Sequence, residues 1–261
     1  MEKIVSKNNE KIKHVSKLIS SSYLRKKEKL FCIEGIRICL DAVASGVAIR
    51  QTFITSSSFE KHHDEIEFVI HHSDETYEVS NEVFSKISDT GSPQGIACVC
   101  RWVGNLLPIN TIEKGKNYVM LENIQDPSNL GAICRTAEAL GIDGAVICGG
   151  CDIFNPKVLR GSMGSIFRLP IYEAVCFEDF FKNARKNDLK IFTTVTDKNA
   201  KKITDISFTS GAVCVIGNEG NGVSEQALAM CDEKVTIPML GRAQSLNASM
   251  AACIAMWEMV R

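Results

Sequence analysis

From Tyr118 onward the chain alternates between apolar, β-branched runs and segments of helical length, and this alternation constrains its fold more than any other feature. The runs are Tyr118 to Glu122, Gly144 to Cys148, Lys190 to Thr194, Ala212 to Ile216 and Lys234 to Ile237. Helical patterns fill Gly131 to Leu140, Phe177 to Lys186, Ser224 to Cys231 and Leu246 to Val260. Strands that are apolar along their whole length are buried on both faces, so the pattern implies an α/β fold with a mainly parallel sheet covered by helices. Ligands of such sheets sit at the carboxyl ends of the strands. Function is therefore to be sought in the loops that follow them.

Upstream the elements are shorter and mixed. A basic helix is expected over Ile12 to Ser20, a strand at Lys29 to Ile33, a helix at Ile36 to Ser45, a strand at Ile49 to Thr55 and a closing strand around Ile96 to Arg101. Gly104, Pro108 and Gly115 then interrupt any periodicity. The 261 residues thus divide into a smaller α/β domain over 1–101, a linker over 102–117 and a larger α/β domain over 118–261.

The opening segment, Met1 to His14, alternates charges without an apolar run, so neither a signal peptide nor a membrane anchor is expected there. A soluble, cytoplasmic protein is the expectation. The eleven cysteines agree, because an odd number scattered through apolar segments behaves as small buried hydrophobes in a reducing compartment. Cys148-Gly149-Gly150-Cys151 has the spacing of a redox pair, but the residues after Cys151 do not open a helix on the second thiol. No histidine follows His72 and no second close cysteine pair occurs, which argues against zinc. A formal net charge of −1 means that any nucleic-acid site must be local. Lys3, Lys7, Lys11, Lys13, Lys17, Arg25, Lys26, Lys27 and Lys29 form one such cluster, with Arg25, Lys26 and Lys27 its densest part. A solvated helix face is the competing explanation.

Three loops at strand ends carry more Asn, Gly and Ser than a turn requires. The first, Asn123-Ile124-Gln125-Asp126-Pro127-Ser128-Asn129-Leu130-Gly131, runs into a helix bearing Arg135 and Glu138. Its simplest structural explanation is a helix capped by Asn129, with Arg135 paired to Glu138. The second, Gly217-Asn218-Glu219-Gly220-Asn221-Gly222, lets backbone approach a ligand closely, yet matches neither the dinucleotide nor the P-loop fingerprint. The third passes from Ile237 through Gln244-Ser245-Leu246-Asn247 into the last helix, whose Leu246, Met250, Ile254 and Trp257 are spaced as a core stripe.

In this order and spacing the three loops resemble the three motifs of the SpoU (TrmH-like) family of SPOUT RNA methyltransferases. Phe154-Asn155-Pro156-Lys157 and Arg160-Gly161-Ser162-Met163-Gly164 are similar to the family's middle segment. Phe31-Cys32-Ile33-Glu34-Gly35 and Ser92-Pro93-Gln94-Gly95-Ile96-Ala97 are similar to the ends of its substrate-binding domain, which is L30e-like. The resemblance implies a trefoil knot formed by the chain after Gly217, and S-adenosyl-L-methionine as cofactor. It implies that Gly217, Ile237 and Leu246, with Thr194, Asn218 and Gly222, hold the cofactor. It implies that Asn129, Arg135, Glu219, Ser245 and Asn247 line the transfer site, Arg135 also meeting RNA. The implied reaction is methylation of a ribose 2′-hydroxyl, of large-subunit rRNA before tRNA, by a homodimer without a metal.

The chemistry is compatible with these residues. A sulfonium is an activated methyl donor, so the protein must align donor and acceptor and help remove a hydroxyl proton. The resemblance implies Arg135 as the proton acceptor, but arginine is a reluctant base, which favours phosphate positioning by Arg135 and leaves Glu219 to orient Arg135 or to take the proton. Methylation of a base, a non-catalytic RNA-binding relative and a purely structural knotted dimer stay open at this point.

Overall fold

The computed structural model describes residues 1–104 and 106–261. These form two compact units. The first contains, in order, β1 (Glu2–Ile4), α1 (Glu10–Ser20), α2 (Ser22–Glu28), β2 (Leu30–Glu34), α3 (Ile36–Ala44), β3 (Ile49–Ile54), α4 (Ser56–Lys61), α5 (His63–His71), β4 (Ser73–Val79), α6 (Asn81–Phe84) and β5 (Ile96–Arg101). The second begins with β6 (Leu106–Leu107), β7 (Asn117–Glu122), α7 (Pro127–Leu140) and β8 (Gly144–Cys148). The chain then returns to the first unit for α8 (Pro156–Ser162). It completes the second with β9 (Ile171–Ala174), α9 (Phe177–Lys186), β10 (Lys190–Thr194), β11 (Lys201–Lys202), β12 (Ala212–Ile216), α10 (Glu225–Met230), β13 (Glu233–Thr236) and α11 (Ala248–Val260).

The sheet of the first unit has the order β1-β4-β3-β5-β2, with β5 antiparallel to both neighbours and the remaining pairs parallel. Val15 and Leu18 of α1 pack with Phe53, Tyr77 and Phe84 in one core cluster. Residues 152–167, which the sequence pattern assigns to the C-terminal domain, belong to this unit. Aromatic packing explains why: the Phe31 ring stacks on Phe154 at 4.7 Å between centroids and on Phe167 at 6.1 Å. Asp152 adds an ion pair, accepting from Arg25 Nε at 2.7 Å.

The second unit is built on an eight-stranded sheet, β11-β13-β10-β12-β7-β8-β9-β6, in which every pairing is parallel. β7, β8 and β12 are buried along nearly their whole length, as continuous apolar runs demand. Register fixes what each face meets. Tyr118, Met120, Val146, Val213 and Val215 face α9 through Phe180 and Phe181, and α7 with α11 covers the opposite face. Three of the five expected strands match residue for residue; β7 starts one residue earlier than Tyr118, and Lys234 to Ile237 is β13 shifted back by one.

The last helix differs from expectation. It starts at Ala248, and the stripe of Leu246, Met250, Ile254 and Trp257 is turned outward, with Met250 at 58% and Trp257 at 55% exposure. The buried face is instead Ala248, Ala252, Ala255, Met256 and Met259. Small side chains there let the helix backbone come close to α7 and the sheet. Among the described residues no helix is long and apolar enough to cross a membrane.

The Arg25–Asp152 pair yields a stability prediction. Arg25 is 2% exposed and also donates from its guanidinium to the carbonyls of Leu18 and Ile19. Removing one partner of a buried pair leaves the other uncompensated, so Arg25→Ala should cost about 3–5 kcal/mol in urea unfolding. The neighbouring Lys26→Ala should stay within about 0.5 kcal/mol of wild type.

Candidate active site

β7 and β12 are parallel neighbours in register, Leu121 beside Ile216, so the loops that leave their carboxyl ends emerge side by side. Asn123 opens the first loop with φ +55°, a left-handed conformation that asparagine tolerates better than most residues. Gly150 supports that loop from below at φ +85°, because a Cβ there would stand 2.3 Å from the Ile124 carbonyl oxygen. The glycine pair of Cys148-Gly149-Gly150-Cys151 thus serves a close backbone crossing, in which Cys151 N–H donates to the Ile124 carbonyl at 2.8 Å. Burial pushes the Cys148 thiol up to about 11, with Glu122 adding to the effect. Such a thiol is not an activated nucleophile.

The second loop folds back on its own start. Asn218 and Gly222 exchange backbone hydrogen bonds of 3.0 and 2.9 Å, and a Cβ on Gly217 would meet the Gly222 backbone at 2.1 Å. Two carboxylates tie this hairpin to β7 and its loop. Glu122, at the end of β7 and 8% exposed, accepts from the Ser224 amide at 2.9 Å and the Ser224 hydroxyl at 2.6 Å. Glu219 reaches the other way. Its Oε1 accepts from the Asp126 amide at 3.0 Å and Asn129 Nδ2 at 2.9 Å, and its Oε2 from the Gln125 amide at 3.1 Å.

Asn129 links the first loop to the third. While its Nδ2 donates to Glu219, its Oδ1 accepts from Asn247 Nδ2 at 3.0 Å. Asn247 Oδ1 caps α11 by accepting from Ser249 N–H at 2.9 Å. The cap of α7 is Asp126, which accepts from Ser128 N–H, and Pro127 follows it at the first turn. Asn129 is therefore the third residue of the helix and buried, and the capping explanation for it does not hold. Among the described residues no ion pair joins Arg135 to Glu138, which accepts from Arg168 Nε at 2.8 Å.

A cavity of about 470 Å³ opens where these loops meet. All six residues expected to hold a cofactor line it: Thr194, Gly217, Asn218, Gly222, Ile237 and Leu246. Glu219 and Ser245 line it as well. Asn129 and Asn247 join it through hydrogen bonds to Glu219, whereas Arg135 is exposed on α7 and outside the lining. No ion pair joins Glu219 to Arg135 among the described residues, so the expectation that Glu219 orients Arg135 is replaced by its tie to the first loop. Of the three basic residues singled out for RNA, Lys26 and Lys27 are exposed, but Arg25 is buried and fully engaged. Arg25 holds α2 in place and does not reach a phosphate. Sequence reasoning missed Glu122, although a lone carboxylate ending an apolar strand was a visible signal.

The state of Glu219 follows from its surroundings. Partial burial raises its pKa, but the hydrogen bonds from Asn129 and from the amides of Gln125 and Asp126 outweigh that and leave it below the usual carboxylate value. A carboxylate held this way is a weakened base. Its folded-state pKa is depressed, so its tie is complete above the unfolded value, about 4.3, and is lost as pH falls through the folded value. In Glu219→Gln, which keeps the shape but weakens acceptance, the amide hydrogens of Gln125 and Asp126 should exchange at least about tenfold faster at neutral pH. In wild type the same acceleration should set in only below about pH 4.3.

Comparisons with known proteins agree with this geometry. Residues 116–257 match the SpoU rRNA Methylase family, and residues 9–98 match the MRM3-like substrate binding domain. The 23S rRNA (guanosine(2553)-2′-O)-methyltransferase RlmP of Bacillus subtilis is 29% identical over 260 residues, 99% of each chain. The 23S rRNA (uridine(2479)-2′-O)-methyltransferase of Streptomyces viridochromogenes is 36% identical over 148 residues, 55% of this chain and 52% of its own. The AdoMet-bound rRNA methyltransferase of Sinorhizobium meliloti superposes with a TM-score of 0.87 at 27% identity, covering 99% of this chain and 97% of that one.

Proposed function

Because the chain belongs to the SpoU rRNA methylase family, we propose that it transfers a methyl group from S-adenosyl-L-methionine to a ribose 2′-hydroxyl of large-subunit ribosomal RNA. The observation that carries this reading is the cavity at the carboxyl ends of β10, β12 and β13, lined by Thr194, Gly217, Ile237 and Leu246 and tied to Asn129 through Glu219. Its volume lies within the range of small-molecule sites, about 300–1,000 Å³. A Cβ on Gly217 in its wall would collide with the Gly222 and Val223 backbone, so the hairpin there closes only with glycine. The decisive experiment incubates the protein with labelled S-adenosyl-L-methionine and total RNA from cells lacking it, followed by nucleoside mass spectrometry. A methylated base in place of a 2′-O-methyl nucleoside would overturn the ribose assignment.

The bound cofactor supplies an activated methyl on a sulfonium centre. The chain's own contribution is alignment. Thr194, Gly217, Asn218, Gly222, Ile237 and Leu246 hold the cofactor. Glu219 and Asn247 fix both ends of the Asn129 amide, so that a donor and an acceptor are set before substrate arrives. Ser245 offers a hydroxyl at the cavity wall. Arg135 has no carboxylate partner among the described residues and is free to meet a phosphate. Glu219, its pKa lowered by the hydrogen bonds it accepts, ties the second loop to the first.

The knot expected after Gly217 belongs to this reading, as does a homodimer. Support for the dimer is the outward stripe of Met250, Ile254, Trp257 and Val260 on α11, a contiguous apolar face of the kind a partner subunit covers. A cytoplasmic location is supported by eleven cysteines without a disulfide.

Two outcomes are expected. Arg135→Ala should lower methyl transfer by at least about tenfold while leaving cofactor affinity within about twofold, since Arg135 lies outside the cavity lining; calorimetry beside a transfer assay measures both. Light scattering at micromolar concentration should give the mass of a dimer, and Trp257→Glu should shift it toward the monomer.

A further inference from the structure

Helix α2 has two different faces. Leu24 and Arg25 point inward, Leu24 packing on the core cluster and Arg25 pinned by Asp152 and by the carbonyls of Leu18 and Ile19. The opposite face carries Tyr23, Lys26 and Lys27, related by the i, i+3 and i+4 spacing that places side chains one turn apart. Tyr23 is 72% exposed. Among the described residues its ring has no aromatic or cationic neighbour and its hydroxyl no hydrogen bond.

The lysines beside it, like Lys17, differ from the first four in the chain. Lys3, Lys7, Lys11 and Lys13 each pair with a carboxylate of the same unit, at Glu78, Glu82, Glu75 and Glu10 respectively. No such pair is formed by Lys26 or Lys27 among the described residues, and the nearby carboxylate, Glu28, is taken by His14 at 2.6 Å. An unpartnered aromatic ring on an anchored helix, with two unneutralised cations one turn away, presents a π-face for a base beside charges for its phosphates.

From this arrangement we infer that α2 is a binding platform for single-stranded RNA, on which an unpaired base stacks against Tyr23 while Lys26 and Lys27 contact the flanking backbone. The inference rests on the RNA-methylating function proposed above and adds a substrate class to it, an unpaired segment. A protein partner would need apolar surface beyond the single ring, which this face lacks. Duplex RNA offers no free base to the ring.

The test uses the full chain and two RNAs of the same sequence, an unstructured strand of about twelve nucleotides and its perfect duplex, at one fixed salt concentration. Tyr23→Ala should weaken binding of the single strand by about tenfold and of the duplex by less than about twofold. Tyr23→Phe, which keeps the π-face, should restore wild-type affinity, and a thermal midpoint and S-adenosyl-L-methionine affinity equal to wild type would show that the fold is intact. Unchanged single-strand affinity in Tyr23→Ala, or an equal loss for strand and duplex, would overturn the platform while leaving the methyltransferase reading in place. Wild-type protein that binds neither RNA would also overturn the platform, and the methyl-transfer assay described above decides the methyltransferase reading separately.

Discussion

The parallel pairing of β7 with β12 is the constraint on which the candidate site depends. Once Leu121 and Ile216 lie side by side, a loop rich in backbone donors and a loop carrying a carboxylate leave the sheet at the same height. Glu219 then needs no long reach to gather the amides of Gln125 and Asp126 together with the Asn129 side chain. Glu122 makes the reciprocal connection, from the end of β7 to the cap of α10 beyond the second loop. Two short acidic ties therefore hold a wall that glycine-rich sequence alone would leave mobile.

Much of this was legible because the second unit obeys simple rules. Strands buried on both faces write themselves as apolar runs, and β8, β10 and β12 fall on the expected residues. The first unit is harder to read. Its strands are short, and α2, α4, α5 and β4 lack the strong periodicity that would announce them. What misled most was charge and size. Arg25 looks like its neighbours Lys26 and Lys27 in sequence, yet the helical rotation between adjacent residues sends it inward to Asp152. In α11 Met250, Ile254 and Trp257 are exposed while alanines share the buried face with Met256 and Met259, which departs from a hydrophobic-in pattern read by size alone.

Asn129 shows how a bland explanation and a functional one can be separated physically. The same residue type at a helix start is usually a cap. Here Asp126 performs that task and Pro127 fixes the first turn, which leaves the Asn129 amide committed at both ends to residues roughly 90 and 118 positions away. A buried amide with both poles satisfied has one orientation. For a residue proposed to line a transfer site, a single orientation means that a substrate is met without reorganisation.

Residues 152–167 have a consequence for how the protein is made. They complete the aromatic stack on Phe31 and supply the counter-ion of Arg25, yet they leave the ribosome roughly fifty residues after the rest of their unit, which ends at Gly104. At about 5–20 residues per second the wait lasts several seconds. During it β2 has an uncovered phenylalanine and α2 a buried cation without its carboxylate. The two units are thus interleaved in time as well as in sequence, and the first cannot reach its final packing until the sheet of the second has begun to be synthesised.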